Sequence, residues 1–174
     1  TARSGDAQAQ ISAIALDSRQ VKPGTLFAAL PGSLVHGAEF VDPALRMGAS
    51  AVLTDREGAK LAAEALARHP DVALVVAEDA RAALAMAAAL WFGAQPETMV
   101  AVTGTNGKTS VASFARQLWM SMGHAAINVG TTGVEGAWET ALSHTTPDSV
   151  TLQSILAQAA AEGVTHAAME ASSH

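Results

Sequence analysis

The chain has 174 residues, enough for one domain or two small ones with a sizeable core. Hydrophobic residues make up 49%, much of it alanine, charged residues only 15%, and the formal net charge of -6 argues against a general nucleic-acid binder. Cysteine is absent, which excludes disulfides, thiolate metal sites and a cysteine nucleophile, and aromatics at 4% without tyrosine argue against a base-stacking platform.

The opening TARSGDAQAQ has no apolar signal region and reads as a flexible lead-in. Residues 13–16 read as a short strand ending at Asp17-Ser18-Arg19. After the Pro23-Gly24 turn, residues 25–30 read as a second strand, stopped by Pro31-Gly32. A helix is predicted over 38–47, closed by Gly48, then a strand over 51–53. An alanine-rich helix over 57–68 stops before Pro70, and valine-rich 72–76 is a strand. Asp79 is placed to cap a helix running to about Phe92, with Gly93 at its end.

Gly93-Ala94-Gln95-Pro96 marks a candidate boundary, giving domains over 1–94 and 95–174. Beyond it, residues 99–103 read as a strand. A helix over 109–122 follows, with Val111, Phe114, Leu118 and Met122 on one face and Gly123 closing it. Residues 125–129 are a strand; Thr146-Pro147 reads as N-cap and first helical position of a helix to about Ala161; residues 164–169 are another strand. Strands alternating with helices imply α/β architecture with parallel sheets. Three strands are few for a finished nucleotide-binding sheet, and the chain stops at Ser172-Ser173-His174 directly after a strand, so a fragment is expected. No run of about 18 uncharged apolar residues offers a membrane span, and a soluble, cytoplasmic chain without membrane or nucleic-acid partners is expected.

The stretch TGTNGKTS, residues 103–110, carries the chemistry. Gly107, Lys108 and Thr109 supply the end of a phosphate-binding loop, but Val102 stands where the usual pattern has its first glycine. The context is nonetheless strand, glycine-bearing turn, helix. Glycines let backbone approach phosphate oxygens, the helix N-terminus offers unpaired N–H groups, Lys108 supplies a point charge and the Thr109 hydroxyl a ligand for Mg²⁺. A turn with a solvated lysine is the plainer alternative, and the flanking strand and helix weigh against it.

This shortened loop resembles the ATP-binding signature of the Mur ligase superfamily, the ATP-dependent amino-acid ligases of peptidoglycan synthesis and their folylpolyglutamate synthase relatives. The resemblance runs from about Ile11 onward: L-D-S-R-x-V-x-P-G-T-L-F-A-A-L-P-G at 16–32, H-G-A-E-F-V at 36–41, G-A-S-A-V-L at 48–53, H-T-T-P-D at 144–148 and M-E-A-S-S-H at 169–174. The last two motifs are similar to those of the branch that acts on UDP-MurNAc-L-Ala-D-Glu.

The resemblance implies a UDP-muramoyl-peptide recognition domain, followed by the start of a P-loop ATPase domain. ATP and Mg²⁺ are the implied cofactors; UDP-MurNAc-L-Ala-D-Glu and an amino acid, meso-diaminopimelate as the family's commoner choice or else L-lysine, are the implied substrates of a monomeric ligase. Gly104, Thr105, Asn106, Gly107, Lys108, Thr109 and Ser110 would bind ATP; Thr109 and Glu170 would hold the metal; Lys108, Glu170 and His174 would serve catalysis. Leu16, Ser18, Thr145, Thr146 and Ser172 would contact the UDP-substrate, with Ser33, Leu34 and Val35 in a second, variable uridine loop. Asp17 and Arg19 could equally form a local ion pair, Thr146 could simply cap a helix, and His36 is a further acid–base candidate. His69, His124 and His166 have no supporting neighbours in sequence. The family's carbamylated lysine and amino-acid-binding C-terminal domain lie outside these residues, so the chain alone is expected to be inactive. The D-Ala-D-Ala-adding ligase and a non-catalytic nucleotide-binding module are the alternatives.

Overall fold

A computed structural model describes residues 2–5, 8–142 and 147–172. The chain forms two compact units, residues 1–88 and 89–174.

The first unit is a five-stranded sheet. Its strands are β1 (Ala2–Ser4), β2 (Ala13–Ala15), β3 (Thr25–Ala29), β4 (Ala49–Thr54) and β5 (Ala73–Val76), in the order β1-β5-β4-β3-β2. β2 to β5 run parallel, and β1 pairs antiparallel with β5. The lead-in is therefore corrected: three of its residues are an edge strand, because β5 would otherwise expose its ladder. Helices α1 (Val41–Arg46), α2 (Arg56–Leu61), α3 (Ala63–Ala67) and α4 (Ala80–Phe92) complete the unit, the last crossing into the second. The predicted 57–68 helix is thus two short ones meeting at Ala62. Phe27, Val41, Leu45, Val52 and Val21 fill one core with a surround of alanines. Asp79 caps α4, accepting the Ala82 N–H at 2.9 Å.

The second unit is a four-stranded sheet in the order β6-β9-β7-β8, made of β6 (Thr98–Val102), β7 (Ala126–Gly130), β8 (Gly133–Gly136) and β9 (His166–Glu170). β6, β9 and β7 are parallel, and β8 folds back on β7 as an antiparallel hairpin. Helix α6 (Ser149–Ala161) covers one face, where Ile127, Val129, Ile155, Leu156 and Ala167 form the core. Its N-cap is Asp148, which accepts the Val150 and Thr151 N–H groups at 2.9 and 3.0 Å. The expectation of Thr146 as cap and Pro147 as first helical residue is corrected: the aspartate carboxylate reaches two amides, and the helix begins at Ser149.

Helix α5 (Lys108–Ser121) lies against β7 and β9 through a seam different from the apolar one. Val111, Phe114, Leu118 and Met122 are 52–66% exposed. The seam toward the sheet instead includes Thr109, Ala112, Arg116 and Trp119, at helical spacing. It meets small and polar residues of alternating strand positions, Asn128 and Gly130 on β7 and His166 and Glu170 on β9.

Candidate active site

Five residues, 103–107, connect β6 to α5. Two glycines let so short a loop turn: Gly104 has φ +145° and Gly107, the residue capping α5, has φ +79°. Nothing lies within 4 Å of a Cβ built on Gly107, so its backbone angle rather than crowding demands glycine. The first intrahelical bond runs from the Val111 N–H to the Gly107 carbonyl at 2.9 Å. The amides of Lys108, Thr109 and Ser110 therefore precede the helical ladder and form the positive end of its dipole. Lys108 folds back over the loop, its Nζ donating to the Gly104 carbonyl at 2.7 Å. That contact holds the ammonium over the turn made by Gly104, Thr105 and Asn106.

Glu170 ends β9 opposite Val102, the last residue of β6, and the pairing continues one step as the Ala171 N–H donates to the Val102 carbonyl at 2.9 Å. Its carboxylate is buried but fully oriented. The Thr109 hydroxyl donates to Oε2 at 3.0 Å, and the Thr131 N–H, in the β7–β8 turn, donates to Oε1 at 3.1 Å. A Cβ on Gly130 would stand 1.9 Å from Oε1, so glycine is the residue that lets this carboxylate lie across β7. Thr109 and Glu170, 61 residues apart, thus meet at the carboxyl ends of parallel strands, where α/β sheets bind their ligands. Their donor set is a carboxylate and a hydroxyl. Hard oxygen donors of this kind, few in number and beside a phosphate-binding turn, fit Mg²⁺, which takes one or two protein ligands and completes its shell with phosphate and water. Among the described residues no cluster of three or more His, Cys, Asp and Glu suggests a different metal.

Two family-profile matches cover most of the chain: Mur ligase family, catalytic domain, over residues 10–92, and Mur ligase middle domain over residues 102–174. The chain belongs to the Mur ligase family. A relative from Rhizobium meliloti (strain 1021), named UDP-N-acetylmuramoyl-L-alanyl-D-glutamate--2,6-diaminopimelate ligase, is 55% identical over 98% of this chain and 34% of its own length. The Agrobacterium fabrum protein of the same name is 51% identical over 95% of this chain and 32% of its own. A solved structure of a protein so named superposes with a TM-score of 0.74 at 31% identity, covering 94% of this chain and 32% of that one. A Thermotoga maritima MurF ligase in complex with ADP shares the fold, with a TM-score of 0.56 at 21% identity, over 94% of this chain and 32% of its own. This Mur ligase chain spans about a third of the length of the curated relatives it matches.

The remaining sequence candidates fall in different places. Leu16 and Ser18 lie in the first unit, lining with Asp17, Arg19 and Phe40 a groove of about 550 Å³. Asp17 and Arg19 do form the ion pair, Nη2 to Oδ2 at 2.5 Å, and the same carboxylate accepts the Arg19 backbone N–H. These hydrogen bonds from Arg19 hold the Asp17 carboxyl down at about 2. Ser172 follows two residues after Glu170. Thr145, Thr146 and His174 lie outside the described residues.

His36 is built into the scaffold. Its Nδ1 accepts the Ala38 N–H at 3.0 Å and its Nε2 faces Asp55 Oδ1 at 3.1 Å, so the proton resides on Nε2. The Gly58 N–H at 2.7 Å, and then His36, hold the Asp55 carboxyl below its ordinary value against the opposing effect of burial. His124 and His166 are not without neighbours: their rings stack at 4.1 Å, with Trp119 5.2 Å from His166. They sit at the opposite end of β9 from Glu170, outside the site. Sequence reading did not single out Arg116 or Asn128, which the fold joins at 2.5 Å beside the β7–β8 hairpin.

Proposed function

We propose that this chain is the substrate-recognition domain and leading part of the ATPase domain of a ligase that adds meso-diaminopimelate to UDP-MurNAc-L-Ala-D-Glu in cytoplasmic peptidoglycan-precursor synthesis. The domains are assigned to residues 1–94 and 95–174. The observation that carries the reading is the meeting of Thr109 and Glu170 at 3.0 Å beside the five-residue glycine turn. It is supported by the names of relatives 55% and 51% identical along nearly the whole chain.

In the proposed reaction the D-glutamyl carboxylate is phosphorylated at ATP's expense. The amine of the incoming amino acid attacks the acyl-phosphate carbonyl, and the resulting tetrahedral centre collapses with loss of phosphate. A bound Mg²⁺ supplies charge neutralisation among the phosphate oxygens. The chain's own work is positioning. The amides of residues 104–110 cradle phosphate, and the Lys108 ammonium leaves the Gly104 carbonyl for a phosphate oxygen, exchanging a neutral acceptor for a charged one. The Thr109 hydroxyl and Glu170 carboxylate would hold the metal, while the Thr131 N–H keeps the carboxylate from rotating away. Leu16, Ser18, Thr145, Thr146 and Ser172 contact the UDP-substrate, His174 orients the reacting end, and the ligase acts as a monomer without nucleic-acid or membrane partners.

The test is phosphate release by the full-length protein with Mg-ATP and UDP-MurNAc-L-Ala-D-Glu, supplied separately with meso-diaminopimelate, L-lysine or D-Ala-D-Ala. Release that depends on diaminopimelate is expected. Release with lysine or D-Ala-D-Ala instead would overturn the substrate, and release with none would leave a nucleotide-binding module.

A further inference from the structure

We propose that Arg116 is a positioning residue for the Glu170 carboxylate, acting through the β7–β8 hairpin. The inference rests on the metal role proposed for Glu170. Arg116 lies seven positions beyond Thr109 on α5, about two turns along the same face. Its side chain is only 17% exposed. Nε donates to Asn128 Oδ1 at 2.5 Å, Nη2 lies 3.8 Å from Glu135 Oε2, and Nη1 lies 3.7 Å from Met120 Sδ.

Asn128 on β7 and Glu135 on β8 are register partners. One guanidinium therefore engages both strands of the hairpin at a single cross-strand pair. A Cβ on Gly136 would come 2.7 Å from Arg116 Cδ, so that glycine leaves the channel through which the arginine stem passes. Asn128 is 2% exposed, and without its guanidinium donor its amide oxygen would lose that partner in a buried setting.

The consequence lies two residues further on. Gly130 ends β7, and Thr131, the first residue of the turn, presents its N–H to Glu170 Oε1 at 3.1 Å. Helix α5 thus fixes two donors to the carboxylate. Thr109 binds one oxygen directly, and Arg116 anchors the hairpin whose turn binds the other. A groups-apart reading, in which the arginine only adds stability, makes no link between Arg116 and the Thr131 amide.

The experiment compares Arg116→Met and Arg116→Lys with wild type in the full-length protein. Two quantities are read: amide hydrogen exchange at Thr131, and the Mg²⁺ concentration giving half-maximal ATP-dependent phosphate release. Arg116→Met is expected to speed Thr131 exchange about tenfold and to raise the Mg²⁺ requirement about 10- to 100-fold, the range seen when the support of a metal ligand is removed. Arg116→Lys keeps stem and charge but lacks the Nε donor, and should fall between; it carries the test if the methionine variant does not fold. Unchanged Thr131 exchange in the folded variants would overturn the proposal whatever the enzyme does. Faster exchange with an unchanged Mg²⁺ requirement would overturn it equally. A wild-type protein without Mg²⁺-dependent phosphate release would instead sink the ligase reading, and the Thr131 exchange would still report on the hairpin anchor.

Discussion

Gly130 is the point where one strand's backbone makes room for another strand's side chain. An added methyl would lie 1.9 Å from Glu170 Oε1 and 2.7 Å from its Cδ. Gly130→Ala is therefore expected to push the carboxylate off Thr109 and Thr131, with an overpacking cost of about 1–3 kcal/mol in thermal unfolding. Asp17 offers a separate check at the same scale. Its folded pKa, about 2, lies below the ordinary aspartate value of 3.8. The pairing with Arg19 is therefore complete above 3.8 and fades as pH falls toward 2. An NMR titration of the Asp17 carboxyl should give that low midpoint, and Arg19→Met should return it toward 3.8. Lys108 and Thr109 could be singled out in the sequence because a glycine turn between strand and helix is a local pattern, and Glu170 because its place at a strand end coincides with a motif of the family the chain resembles. Arg116 was not, because an arginine in a helix ordinarily reads as a solvated side chain, and only the fold sets Asn128 against it.

Helix α6 shows how an element boundary is decided by one side chain. Asp148 accepts two amides, and its Oδ2 also takes the Thr151 hydroxyl at 2.6 Å. Asp148→Ala should cost about 1 kcal/mol, read as a lower midpoint in urea unfolding with an unchanged slope. Thr146-Pro147 was misleading because proline often opens a helix, yet here the competing acceptor stands one residue later. β8 escaped the sequence for a different reason. Its four residues, Gly-Val-Glu-Gly, have no apolar run, and it exists because β7 supplies the ladder. The strands β2, β3, β4, β6, β7 and β9 were readable as short apolar runs and β5 as a valine-rich one. The apolar stripe of α5 followed a helical period correctly but did not give its packing face, since the sheet beneath it presents glycine, asparagine and glutamate.

At the scale of the whole molecule, each unit is a parallel sheet finished by one antiparallel edge strand, β1 in the first and β8 in the second. The family, the α/β class and the order of motifs were legible because they rest on several segments in sequence order. The site was legible only in part, since its geometry depends on strand register: Glu170 stands opposite Val102, and Val129 pairs with Met169. That register brings loop, hairpin turn and carboxylate to one end of one sheet. The most direct measurement of this account is equilibrium ATP binding by the full-length protein, with and without Mg²⁺, in wild type, Glu170→Gln and Lys108→Ala. The wild type should bind ATP more tightly with Mg²⁺. Glu170→Gln should lose that gain and keep its Mg²⁺-free affinity, while Lys108→Ala should weaken binding in both conditions by about 1.5–3 kcal/mol. A Glu170→Gln protein that gains as much from Mg²⁺ as the wild type would contradict the site described here.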